Sequence, residues 1–158
     1  MAADFTFIFL AALALTLAAR LWLAVRQIRH VAAHRGEVPA AFAGRVPREA
    51  HQKAADYTVD RTRAGIAALL AESGLLLALT LGGGITALHG VATANLPGLA
   101  AGVALIFGVM AISALVDLPF AIYRQFVIEA RYGFNRMTPR LFCTDLARQA
   151  VLAAVIGT

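Results

Sequence analysis

Three apolar runs, each long enough to cross a bilayer and each bordered on one side by a basic segment, leave this chain few folds to choose from. The first, Phe5 to Val25, is nearly unbroken. As a helix rising 1.5 Å per residue it spans about 30 Å, the thickness of a hydrocarbon core. The second runs over residues 64–81 and the third over residues 99–122. Composition agrees: 60% of residues are hydrophobic and the mean hydropathy is +0.74, where a soluble domain is usually under half apolar. Aromatics make up only 8%, so most of the apolar mass is Ala, Leu, Val and Ile, which suits closely packed membrane helices. The expected fold is all-α: a polytopic transmembrane helix bundle with cytosolic helical extensions.

The net charge of +5 would fit a nucleic-acid binder, but its placement does not. All 14 Lys and Arg residues fall between Arg20 and Arg63 or between Arg124 and Arg148. Clusters that alternate with bare apolar runs are what a threaded chain shows when its basic loops share one side of a membrane. The pattern therefore predicts an integral, multi-pass protein with the N-terminus outside and the basic loops cytosolic (in the inner membrane if the source is bacterial). It predicts the lipid bilayer as partner and no nucleic acid. A cleaved signal peptide would need basic residues ahead of the first run, and only Asp4 stands there.

Finer punctuation follows from the turn formers. Gly36 is expected to stop the first helix after a cytosolic extension from Val25, and Pro47 to sit in the first turn of the next helix. Glu49, Lys53, Asp56, Asp60 and Arg63 share one face of that helix, and Ala50, Ala54 and Tyr57 another. Gly82-Gly83-Gly84 breaks or loosens the second span. His89 to Gly98, with Asn95 and Pro97, reads as a short external loop. Pro119 marks a place for a kink, the helix runs on toward Tyr132, and Gly133 caps it. Thr138-Pro139 reads as an N-cap followed by proline in the first turn. The fourth span, from about residue 139 to residue 158, keeps only ten residues beyond its last charge. That is half a bilayer, about 15 Å, so the chain is expected to be part of a longer protein.

Few residues carry chemistry. His30 and His34 share a helical face with the four-residue spacing of a zinc-protease motif, but Val31 stands where the general-base glutamate belongs. They are read as solvated interfacial histidines, and no metal ligand or catalytic residue is assigned in this chain. Arg29 and Arg35 beside them would also repel a bound cation. Glu72 and Asp117 are the acids inside predicted spans. A bare carboxylate in lipid is costly, so each is expected to face the bundle interior, a polar cavity or a partner. Cys143 reads as a small apolar residue near a helix start, since one cysteine forms no internal disulfide.

Three segments in order carry a resemblance. They are Arg26-Gln27-Ile28-Arg29-His30-Val31 with His34-Arg35 and Val38-Pro39; then His51-Gln52-Lys53-Ala54-Ala55-Asp56-Tyr57-Thr58; and most specifically Leu118-Pro119-Phe120, Tyr123-Arg124, Phe126-Val127-Ile128-Glu129 and Tyr132-Gly133-Phe134-Asn135-Arg136-Met137-Thr138. In these the chain resembles the N-terminal region of the CAAX prenyl protease family of membrane zinc metallopeptidases. The resemblance implies a helix bundle around a chamber opening to the cytosol. It also implies a zinc ion held by an HExxH helix and a later glutamate, downstream of this region and absent from this chain. The zinc-bound water would attack a peptide carbonyl. This region would then supply chamber wall and gating surface, with Glu129, Asn135 and Arg136 at the cytosolic mouth. Its partners would be the protein's own C-terminal catalytic region and a peptide or protein substrate. Two other functions stay open on the residues alone: a small proton-coupled transporter with Glu72 and Asp117 as relay, or a non-catalytic membrane scaffold.

Overall fold

The protein is seen here in a computed structural model, which describes residues 2–42 and 44–156. The end of the expected fourth span, residues 157–158, lies outside the described residues. Among the described residues six α-helices follow in order: α1 (Ala2–Ala33), α2 (Arg48–Thr80), α3 (Gly84–Asn95), α4 (Gly98–Ile122), α5 (Glu129–Arg131) and α6 (Pro139–Ile156). A 3-10 turn, Ala40–Phe42, lies between α1 and α2, and a π-helical turn, Tyr123–Ile128, joins α4 to α5. No strand occurs among the described residues. The chain forms two compact units, residues 1–74 and 75–158, with α2 running from one into the other.

Among the described residues three stretches are long and apolar enough to cross a membrane: Ala3–Ala33, Arg48–Thr80 and Gly98–Arg131. At 31, 33 and 34 residues each is longer than a hydrocarbon core requires, since about 20 residues suffice. The surplus is the polar part of each helix, so the extensions expected from the basic segments exist as continuous helix. Their apolar side chains are laid open. Phe5 is 72% exposed, Phe7 76% and Leu99 85%. Such surfaces would drive aggregation in water and are at home in lipid or against further membrane helices.

In the first unit, α1 ends at Ala33 and the chain turns through residues 34–36. Pro47 falls one residue before α2 rather than inside it, and its carbonyl accepts the first helical bond from the His51 N–H at 3.1 Å. The residue buried in α2 among those described is Ala55.

The second unit contains a correction. His89 to Gly98 is not a loop: residues 84–95 form α3, and only Leu96 and Pro97 separate it from α4. The polar residues that suggested a loop satisfy themselves within the helix. Thr93 Oγ1 donates to the His89 carbonyl at 2.9 Å and Asn95 Nδ2 to the Val91 carbonyl at 2.7 Å. Twelve residues reach only about 18 Å, so α3 does not cross a bilayer alone. It packs instead on α4, where Ala92 and Ala101 are buried.

The glycine triplet is the break the sequence announces. Gly83 has φ +77°, the left-handed region, and a Cβ on Gly82 would lie 2.6 Å from the Ala78 carbonyl oxygen. Gly82→Ala is therefore expected to destabilise the second unit by about 1.5 kcal/mol, the ordinary cost of forcing a backbone shift. Gly74→Ala, where nothing lies within 4 Å, should leave stability unchanged or raise it by up to about 1 kcal/mol. Thermal unfolding of the detergent-solubilised variants compares the two; equal shifts would show that the triplet is not tight.

After Pro119 the helix does not simply run on. Pro119 lacks the N–H of the helical ladder, and four residues later the backbone widens into the π turn. The turn carries Ile128, the most buried large side chain described, at 1% exposure. Gly133, at φ +73°, then closes the segment as expected, its N–H bonding to the Ala130 carbonyl at 3.1 Å. Thr138 is the N-cap of α6: its Oγ1 accepts the Leu141 N–H at 3.2 Å, and Pro139 is the first helical residue. Cys143, in α6, is exposed.

Candidate functional site

The two units each carry a candidate region. In the second, the π turn, the connection after it and the start of α6 form one assembly. Asn135 is its pivot. Its Oδ1 accepts from Gln125 Nε2 at 2.9 Å and from the Met137 N–H at 2.8 Å, while its own N–H donates to the Glu129 carbonyl at 3.1 Å. The Phe134 N–H shares that carbonyl at 2.8 Å. Phe126 meets Phe142 edge to face, with ring centroids 5.5 Å apart, and so docks the π turn on α6. Of the three residues expected at a cytosolic mouth, Glu129 and Asn135 are joined through this backbone contact, and Arg136 projects from the same loop and is exposed.

A cleft of 420 Å³ lies beside this assembly, lined by Asp117, Arg124, Gln125, Met137, Phe142 and Asp145 among others. Asp117 borders this cleft and is itself exposed. Asp145 is 3.6 Å from Arg148 on the next turn of α6. Glu72 belongs to the first unit, is exposed, and lines none of the cavities described there.

The first unit is fastened where α1 meets α2. Arg35 grips Asp56 with both prongs, Nε to Oδ1 and one terminal nitrogen to Oδ2, each at 2.7 Å. His51 Nε2 donates to the His34 carbonyl at 3.0 Å, and His34 Nδ1 donates to the His30 carbonyl at 2.8 Å. Carbonyl oxygens only accept, so these contacts fix which ring nitrogen carries the proton in each histidine. Above them opens a groove of 990 Å³ whose lining includes His30, His34, Glu37, His51 and Thr58. Among the described residues, no group of three or more His, Cys, Asp or Glu is placed to hold a metal ion.

Neither the Arg35–Asp56 clasp nor the Gln125–Asn135 clamp was found from the sequence. Asp56 reads there as one of several solvated charges on a helix face. Gln125 falls between the blocks Tyr123-Arg124 and Phe126–Glu129 of the resemblance and is the third residue of the π turn, which nothing in the sequence marks.

The clasp makes a prediction about acid. Asp56 lies in the polar first part of α2, ahead of the apolar run. Hydrogen bonds from Arg35 hold its carboxyl below the ordinary value of 3.8, slight burial opposes them, and the Arg35 charge adds to the lowering. A depressed carboxylate contributes stability fully above its unfolded value and loses it as pH falls through the lower, folded value. Both side chains are over a third exposed, 47% and 41%, so the contribution is about 1 kcal/mol or less. Asp56→Asn should cost that amount at neutral pH and nothing well below pH 3.8. Unfolding midpoints at the two pH values measure it, and a penalty that persists in acid would rule out the ion pair as its source.

Residues 27–158 match the family described as CAAX prenyl protease N-terminal, with five membrane helices. The chain belongs to that family, and it is an integral multi-pass membrane protein. Among the described residues five helices have 12 residues or more: the three long ones, α3 and α6. A CAAX prenyl protease 1 homolog from Arabidopsis thaliana is 44% identical over 50 residues, which are 32% of this chain and 12% of that protein. CAAX prenyl protease 1 from Saccharomyces cerevisiae is 46% identical over 46 residues, 29% of this chain and 10% of that one. The crystal structure of S. mikatae Ste24p matches with a TM-score of 0.83 and 22% identity, over 93% of this chain and 35% of that one. The helical membrane fold is therefore shared. This chain spans about a third of the Ste24p chain, and its local matches cover about a tenth of the curated relatives.

Proposed function

We propose that the chain is the N-terminal membrane region of a zinc metalloendopeptidase that cleaves membrane-associated peptides or proteins, CAAX-type substrates among them. The observation that carries this reading is the family match over residues 27–158. The most specific part of the resemblance, residues 118–138, forms the π turn and the Asn135 clamp. No His-Glu-x-x-His occurs in the chain, so the zinc ligands and the general base belong to a catalytic region beyond it. Peptide hydrolysis at membrane depth needs water where lipid excludes it. In this reading the chain's contribution is a hydrated wall, with Glu72 and Asp117 as its intramembrane polar groups. Glu129, Asn135 and Arg136 brace the mouth, and the basic segments share the cytosolic side.

The test uses the full-length protein with a farnesylated CAAX-type peptide and its unmodified counterpart. Zinc should co-purify near one equivalent per chain, and a chelator should abolish cleavage of at least one peptide. Residues 1–158 alone should bind no zinc. Activity untouched by chelation, or zinc held by the shorter chain, would sink the proposal.

A further inference from the structure

The C-terminal half of α1 carries a second cavity, separate from the 990 Å³ groove although His30 and His34 border both. It has a volume of 400 Å³ and runs along a single helix face. Trp22, Arg26, Arg29, His30 and His34 line it, together with the apolar Val25 and Ala33. Arg26 lies over the Trp22 ring, 5.4 Å from its centroid. Trp22 is 61% exposed, and Arg26 and Arg29 are exposed as well. No carboxylate lines the cavity. Glu37 lines the adjoining groove, not this cavity, and the Asp56 carboxylate is paired with Arg35.

The position along α1 names the ligand. The apolar run ends at about Val25, so this face begins in the last turn inside the hydrocarbon and continues into the headgroup layer. Indole rings settle at that level, and basic residues immediately past a span attract anionic lipid. We propose that this face of α1 is a binding site for the phosphate headgroup of an anionic phospholipid. Arg26 and Arg29 grip the phosphate through paired N–H donors, and Trp22 lies along the upper acyl chains. Guanidinium suits the task because its planar fork matches phosphate oxygens. His30 and His34 extend the site toward water with further ring nitrogens. The lipid comes from whichever leaflet the C-terminal end of α1 reaches.

Trp22 is the chain's one tryptophan, so it reports its own surroundings. The full-length protein, with every tryptophan outside residues 1–158 replaced by phenylalanine, is reconstituted in phosphatidylcholine vesicles containing an equal minor fraction of brominated phosphatidylglycerol or brominated phosphatidylcholine. Quenching of Trp22 should give phosphatidylglycerol an association constant at least about fivefold higher, the effect of one well-placed basic residue near a membrane surface. Arg26→Gln with Arg29→Gln should abolish the preference; the ratio between the two lipids cancels any change in Trp22's own emission. Arg45→Gln with Arg48→Gln, equal in charge but away from this face, should keep it. Equal quenching by both lipids would overturn the proposal, as would a preference that survives loss of Arg26 and Arg29. A preference lost equally with Arg45 and Arg48 would reduce it to diffuse electrostatics. A preference erased by added inorganic phosphate would assign the site to the free ion instead of the lipid.

Discussion

Asn135→Ala should destabilise the second unit by about 3 kcal/mol, while Asn135→Asp should cost less than about 1. The difference follows from what one oxygen does. Asn135 Oδ1 is the acceptor for both the Gln125 amide at 2.9 Å and the Met137 N–H at 2.8 Å. Alanine removes the acceptor and orphans two part-buried donors, at about 1.5 kcal/mol apiece. Aspartate keeps an oxygen in the same place and strengthens both bonds with its charge. Gln125→Ala removes one bond and should fall between them. Two measurements read the effect. Unfolding in detergent gives the stability order. Trypsin cleavage after the exposed Arg136 reports the loop, and should quicken in Asn135→Ala but not in Asn135→Asp. If alanine and aspartate behaved alike, side-chain volume at residue 135 would matter and its oxygen would not.

The same segment shows how far a sequence can be read. Gly133 and Thr138-Pro139 were legible because each acts through its own backbone: a positive φ at the glycine, a side-chain cap and a fixed φ at the other pair. The long helices were legible because lipid demands a run of apolar residues that water would not. The π turn was not, since it is a one-residue change in hydrogen-bond register, and Pro119 announces only that the ladder is broken somewhere near. Reading α3 as a loop failed for a related reason. Polar residues signal loops when they compete with the helical backbone, but Thr93 and Asn95 bond to carbonyls three or four residues back and leave the helix intact. The clasp and the clamp join residues 21 and 10 positions apart. No helical or strand period links such pairs, so only the folded chain reveals them.

Glu72 gives the largest expected effect, and the sequence and structure pull it in one direction. It sits in α2 about eight residues, or 12 Å, from either end of the apolar run of residues 64–80, so close to mid-membrane. A carboxylate at the centre of a spanning helix costs about 3 kcal/mol on insertion scales, whereas leucine is slightly favourable. Glu72→Leu should therefore favour insertion of α2 by about 3 kcal/mol, more than a hundredfold in the inserted fraction. Asp117 is only five residues from the end of α4 and borders a polar cleft. Asp117→Leu should accordingly yield about 1 kcal/mol or less, because the cost falls toward the interface. A glycosylation-mapping assay of each helix in microsomes reads both numbers. On the proposed function, in which Glu72 belongs to a hydrated wall, Glu72→Leu should insert better and cleave worse in the full-length protein, whereas Glu72→Gln, still polar, should retain more of the activity. Better insertion with undiminished cleavage would remove Glu72 from the chamber wall and leave it a lipid-facing passenger.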